Sequence, residues 1–184
     1  MIRRPATEDT MGMDPLQLPD PADFVRCRRT RGAAQTRALG EALATVMRPG
    51  DALLLHGPLG AGKTCLVQGL CAGLGIADEV ISPTFTLVNR YGSGHTVDHL
   101  DFYRVEPDHD LGDIGVEEIL DELDAGRTVL VAEWPTLLAP LLPRRVELLA
   151  LPGPGDEDRR WFARGVPDLP AAWCALFPED AASC

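Results

Sequence analysis

The eight residues Gly57-Pro58-Leu59-Gly60-Ala61-Gly62-Lys63-Thr64 satisfy the phosphate-binding pattern G-x-x-x-x-G-K-[ST] at every fixed position. Lys63 is the only lysine of the chain, which elsewhere uses arginine sixteen times. A drift toward arginine leaves lysine where arginine cannot substitute. A phosphate loop is such a place, because a compact ammonium on a thin stem threads between β- and γ-phosphates and a planar guanidinium is too broad. Gly57 permits a tight exit from a strand, and Gly60 and Gly62 let the backbone approach phosphate oxygens. The hydroxyl of Thr64 suits Mg²⁺. Gly57, Gly60, Ala61, Gly62, Lys63, Thr64 and Cys65 are the candidate contacts for a bound nucleotide, and Lys63 is also a catalytic candidate. A short glycine-rich match arises by chance too, so its meaning rests on its flanks.

The flanks are those such a loop needs. Ala52-Leu53-Leu54-Leu55-His56 follows the Pro49-Gly50 turn signal and reads as a buried parallel strand. Beyond the loop, Leu66, Val67, Leu70, Leu74 and Ile76 recur at largely helical spacing, and Gly73 and Gly75 mark the stop. Strand, loop and helix in that order aim the free N–H groups and the positive end of the helix at a phosphate.

A cation held by Thr64 and phosphate needs further oxygen ligands. Thr128 to Glu133 is an apolar strand tipped by a carboxylate and stopped by Trp134-Pro135, and ligands gather at the carboxyl ends of such strands. Glu133 is therefore the first metal candidate. Asp101 is the second: Val97, His99, Asp101 and Tyr103 share one face of an extended segment, which suggests a strand lining a cleft. The competing reading of Asp101 is a surface ion pair with Arg104. Ser82-Pro83 introduces Thr84 and Thr86, whose hydroxyls suit a switch segment near a γ-phosphate or simply a β-strand. Arg104 is either a transition-state cation or a structural partner. His56, His95, His99 and His109 lack metal-ligand spacing.

Around these residues the pattern predicts an α/β fold in one domain. Residues 1–22, with four prolines and three methionines, read as a disordered arm or an over-long start. Residues 23–167 form the expected domain, and 168–184 a short tail. Phe24–Arg28 predicts a first strand and Ala34–Met47 a helix. Pro83–Tyr91 and His95–Tyr103, around a glycine turn, predict an antiparallel hairpin. Ile114–Leu123 predicts a short helix. Arg145–Leu151 and Arg159–Val166 predict a closing strand pair about Pro152-Gly153-Pro154-Gly155.

With 45% hydrophobic and 24% charged residues, the 184-residue chain has the composition of a soluble globular protein. The N-terminus lacks the apolar core of a secretory signal, and no apolar stretch reaches membrane-spanning length, so no membrane partner is expected. Five cysteines, an odd number without a C-x-x-C pair, argue against a disulfide framework or a zinc site and fit a reducing cytoplasm. The net charge of −11 opposes a direct grip on nucleic acid. The arginines cluster only locally, at Arg26, Arg28, Arg29 and Arg31 and at Arg159 and Arg160.

Four segments in order, the loop Gly57–Thr64, Ser82-Pro83-Thr84-Phe85-Thr86-Leu87-Val88, His99-Leu100-Asp101-Phe102-Tyr103-Arg104 and Glu133-Trp134-Pro135, closely resemble the TsaE (YjeE) family. This is the bacterial ATPase required for threonylcarbamoyl modification of adenosine 37 in tRNA. The resemblance spans roughly residues 24–165. It implies a three-layer P-loop NTPase fold with a mixed parallel and antiparallel sheet, ATP and Mg²⁺ as cofactors, and TsaD and TsaB as partners. tRNA would be met only indirectly, and the ATPase would drive turnover rather than the transfer chemistry. By the same resemblance Lys63 and Thr64 serve the phosphates and Mg²⁺, Glu133 the metal, and Asp101 the metal or the attacking water. Two positions depart from the family: Cys65 stands where a second threonine is frequent, and Pro58 where aspartate is frequent. Two other readings stay open, a small-molecule kinase on the same core and a nucleotide-gated scaffold that hydrolyses little. An arginine-rich lid between Arg104 and Arg127, which would favour the kinase, is missing from the sequence, as is the guanine motif N-K-x-D.

Overall fold

Strands that are apolar on both faces must be covered on both, and two such runs, residues 52–56 and 128–133, pair at the centre of this fold. The computed structural model describes residues 17–93, 96–106 and 108–184. Its elements are β1 (Arg26–Arg31), α1 (Gly32–Ala44), β2 (Ala52–His56), α2 (Lys63–Gly73), β3 (Val88–Tyr91), β4 (Thr96–Asp101), α3 (Val116–Asp124), β5 (Thr128–Glu133), β6 (Arg145–Pro152), β7 (Asp158–Val166), α4 (Ala171–Leu176) and β8 (Glu179–Asp180). The strands form one sheet in the order β3-β4-β5-β2-β6-β7-β1-β8. β4, β5, β2 and β6 are mutually parallel, and the flanking pairs are antiparallel.

Helices cover both faces. α1 and α2 pack with Leu53, Leu55, Val131 and Leu148 on one side, while α3 and the turns around Leu137 and Leu142 pack with Leu54, Leu100 and Leu130 on the other. The result is the expected three-layer mixed-sheet α/β fold. α1 and α2 run in the same direction, Ala33 lying beside Cys65 at one end and Ala44 beside Gly73 at the other. Both positive helix ends therefore point to the carboxyl ends of the central strands. Their contact is backbone on backbone. A Cβ on Gly40 would run into the carbonyl of Leu66, and one on Gly69 into the carbonyl of Arg37.

Several boundaries differ from the sequence reading. The predicted strand Pro83–Tyr91 shortens to β3, because Leu87 N donates to Pro83 O and Leu87 takes a φ of 64°, which folds residues 83–87 into a turn. Gly94 of the predicted turn and His95 of the predicted second strand lie outside the described residues, as does most of the predicted arm; Pro21–Asp23 forms a short 3₁₀ turn. The segment read as a tail packs into the fold, with Trp173 and Phe177 buried in the α1–α2 core and β8 paired to β1. Cys184 is joined by a disulfide to Cys27 of β1, a pairing that the odd cysteine count did not suggest.

Two buried carboxylates sit on the second face, Asp98, paired with Arg90, and Glu147. Glu147 of β6 is 1% exposed and accepts from Arg145 Nε at 2.6 Å, Arg164 Nη2 at 2.7 Å and His56 Nε2 at 3.0 Å. Burial raises its pKa, but the hydrogen bonds from His56, Arg164 and Arg145 outweigh burial and lower it from 4.5 to about 2. A depressed carboxyl contributes stability above its unfolded value and loses it as pH falls toward the folded value.

Two outcomes follow from this packing. Gly40→Ala should push α1 and α2 apart and destabilise by about 2 kcal/mol, read as a fall in Tm of roughly 4–8 °C. An unchanged Tm would contradict the backbone contact. The wild-type chain should lose on the order of 3 kcal/mol between pH ~4.5 and ~2 through Glu147. Glu147→Gln should flatten that part of a urea-denaturation series across pH.

Candidate active site

β2 ends at His56 and the chain turns at once, since Gly57 (φ 141°) lies against the carbonyl of Ala150, where a Cβ would approach to 2.5 Å. Gly60 and Gly62 also take positive φ, 76° and 95°, and Gly62 caps α2. The first N–H groups of α2, at Lys63, Thr64 and Cys65, face outward without helical acceptors, as at any helix start. The sequence-predicted loop is thus a turn set on a buried strand, closed by Ala61 N donating to Pro58 O and ending in the open donors of the helix start.

Lys63 is buried in this turn, its Nζ donating to Gly57 O at 2.9 Å and Pro58 O at 3.1 Å. Burial lowers its pKa, opposed by the nearby carboxylates of Glu133 and Asp101. The ammonium also lies 4.4 Å from the centre of the Trp134 ring, which packs against Tyr103 at 5.0 Å. Trp134 takes this position because it turns left-handed (φ 54°) directly after β5. The sequence offered no signal for that stacking beyond adjacency to Glu133.

The parallel register sets Leu55, Glu133 and Asp101 side by side on β2, β5 and β4. Glu133 is buried, and its Oε1 accepts from Thr64 Oγ1 at 2.8 Å and from His99 Nε2 at 3.1 Å. Its Oε2 is 3.9 Å from Lys63 Nζ. Asp101 accepts from Thr84 Oγ1 at 2.6 Å and Ser82 Oγ at 3.1 Å, and from Tyr103 N at 2.9 Å. The ion pair weighed between Asp101 and Arg104 does not form; the Arg104 guanidinium lies 4.5 Å over the ring of Phe85 instead. Thr86 turns away to Asn89. Phe85 is 82% exposed, and Ile81 and Leu59 are exposed too.

Lys63, Thr64, Glu133 and Asp101, predicted separately, therefore meet in front of one helix end. His99 was missed as a participant, although its place two residues from Asp101 on one strand face was the available signal. Cys65 contributes its backbone; its thiol lies 3.5 Å from Ala33 O and is pushed up in pKa by burial. Among the described residues no group of three or more His, Cys, Asp or Glu could hold a metal by itself. The donors that converge are oxygens of one hydroxyl and two carboxylates, which suits a hard cation completed by phosphate and water. Thr64, Glu133 and Asp101 are the residues that could hold it.

Comparison with known proteins gives the lineage. The family model for "Threonylcarbamoyl adenosine biosynthesis protein TsaE" matches residues 30–160. The chain belongs to the TsaE family. Two curated relatives named tRNA threonylcarbamoyladenosine biosynthesis protein TsaE are each 38% identical. The one from Bacillus subtilis aligns over 71% of this chain and 80% of its own length, and the one from Treponema pallidum over 71% and 93%. The crystal structure of Bacillus subtilis YdiB superposes with a TM-score of 0.62 at 30% identity, covering 83% of this chain and 93% of that one. All four motif segments fall inside the span matched by the TsaE model. Among the described residues no helix is long and apolar enough to cross a membrane.

Since Asp101 fastens the 82–87 turn through two hydroxyls, Asp101→Ala should loosen it. Amide hydrogen exchange should rise for residues 82–87 while β2 and β5 keep their protection. Unchanged exchange in that turn would show that Asp101 does not hold it.

Proposed function

We propose that this chain binds ATP with Mg²⁺ at the loop and hydrolyses it slowly when alone. In this reading hydrolysis drives turnover of a TsaD–TsaB complex in tRNA N6-threonylcarbamoyladenosine (t6A37) synthesis. The observation that carries the reading is the convergence of Lys63, Thr64, Glu133 and Asp101 before the N-terminus of α2. Membership in a family whose relatives are named for t6A biosynthesis supplies the pathway. The acidic surface, with a net charge of −11, fits a protein partner better than bare tRNA, so tRNA is met through the complex. Such a role belongs in the cytoplasm.

In this reading the N–H groups of Gly60 to Cys65 cradle the phosphates and Lys63 leaves its carbonyl acceptors for the β/γ oxygens. Mg²⁺ would supply neutralisation of charge on the β- and γ-phosphates. Thr64, Glu133 and Asp101 would provide its oxygens, or Asp101 would orient the attacking water. In the isolated chain both oxygens of Asp101 are engaged by Ser82, Thr84 and Tyr103, which suits slow hydrolysis until a partner moves the 82–87 turn. The same engagement favours a second reading, a nucleotide-gated scaffold that hydrolyses little.

Lys63→Ala should stay folded yet lose ATP binding by at least tenfold in titration calorimetry, for want of the only ammonium at the loop. Glu133→Gln should keep nucleotide binding and lose 10²-fold or more of Mg²⁺-dependent hydrolysis. Addition of TsaD–TsaB should accelerate the wild-type chain, and its affinity for that pair should differ between an ATP analogue and ADP. Gating without stimulated hydrolysis would favour the scaffold; unchanged ATP affinity in Lys63→Ala would end both readings. Phosphoryl transfer to an added small-molecule acceptor would instead support a kinase.

A further inference from the structure

His99 is completely buried, yet its only hydrogen-bond partner among the described residues is Glu133, reached by Nε2 at 3.1 Å. Its Nδ1 has none. Facing carboxylate oxygen, Nε2 serves as the ring's donor, and Nδ1 is left without a partner in the interior. Burying a half-satisfied imidazole costs more than burying an apolar side chain of similar size, so stability alone does not account for this residue. The ring is nevertheless held firmly. β4 aligns His99 with Val131, two residues before Glu133, and the Tyr91 ring packs against it at 6.3 Å. Tyr91 is fixed in turn by its hydroxyl, which donates to Ile81 O at 2.9 Å and accepts from Ile81 N at 3.2 Å.

Glu133 has three cationic or donor neighbours: Thr64, His99 and Lys63. In the function proposed above, on which this inference rests, the Thr64 hydroxyl turns to Mg²⁺ and Lys63 to phosphate. Two of the three neighbours are then withdrawn. We propose that His99 is a positioning residue which keeps one oxygen of Glu133 pinned through that exchange, so that the other stays aimed at the cation. Without it Oε1 is free to swing away from Thr64, and Oε2, already 3.9 Å from Lys63, to close on the ammonium that the phosphates need. Outer partners of this kind, which hold a ligand rather than touch the metal, typically matter 10–100-fold in metal affinity.

The test measures the Mg²⁺ concentration at half-saturation for binding of a non-hydrolysable ATP analogue, beside binding of the analogue in EDTA. His99→Leu should raise the Mg²⁺ midpoint about tenfold or more and leave Mg²⁺-free binding within about twofold. His99→Gln, whose amide can donate to Glu133, should restore most of the loss. A wild-type midpoint in folded His99→Leu, or a His99→Gln as impaired as His99→Leu, would overturn the assignment. Imidazole ¹⁵N spectra of the wild-type chain decide the bond without any variant. The Nε2–H tautomer should persist before and after Mg²⁺–ADP, and an Nδ1–H tautomer would refute it. A wild-type chain that binds no nucleotide would sink the proposed function, while the apo tautomer would still decide the His99–Glu133 bond.

Discussion

A carboxylate carried into the interior on the end of a strand must find donors there, and the donors that Glu133 finds tie the fold together. Thr64 brings the start of α2 to it, His99 brings β4, and Lys63 brings the loop after β2. Three separate chain segments are held around one side chain. None could reach it unless β4, β5 and β2 were parallel and aligned so that Leu55, Glu133 and Asp101 stand abreast. A slip of one residue would turn Glu133 to the opposite face of the sheet, against Leu54 and Leu130.

Behind that arrangement lies tight backbone packing. Gly57 lets the loop leave β2 against Ala150, and the glycines of α1 and α2 let two helices approach until their backbones touch. The approach brings two positive helix ends to the mouth of the site, where an anion is stabilised most. On the far face the Glu147 cluster fixes His56, the residue just before the loop, by charge-assisted hydrogen bonds. The loop is thus braced from both sides of the sheet, and its donors are arranged before any ligand arrives.

The 82–87 turn is held differently. Pro83 and Leu87 anchor it to the fold, while between them Thr84 bonds Asp101, Thr86 bonds Asn89 and the exposed Phe85 ring lies under Arg104. A segment whose centre is exposed and held by few polar contacts opens more readily than the strands of the core. It is also in direct contact with a carboxylate of the site. Asp101 therefore links turn and loop: it holds the hydroxyls of Ser82 and Thr84, and its charge acts on Lys63.

The sequence by itself determined the loop, the strand before it, the helix after it and the strand ending at Glu133, because each is encoded by local pattern: glycines, an apolar run, a helical period. β2 and β5 came out with the predicted limits. It also marked Glu133, a carboxylate tipping an apolar strand, and Asp101, which shares one strand face with His99 and Tyr103. What local pattern cannot carry is pairing between distant segments. That His99 donates to Glu133, that Trp134 lies over Lys63, that Asp101 takes Ser82 and Thr84 rather than Arg104, and that Trp173 and Phe177 belong to the core all follow from strand order and register. Those are decided by which packing buries the most apolar surface across the whole chain, and only the assembled sheet records the outcome.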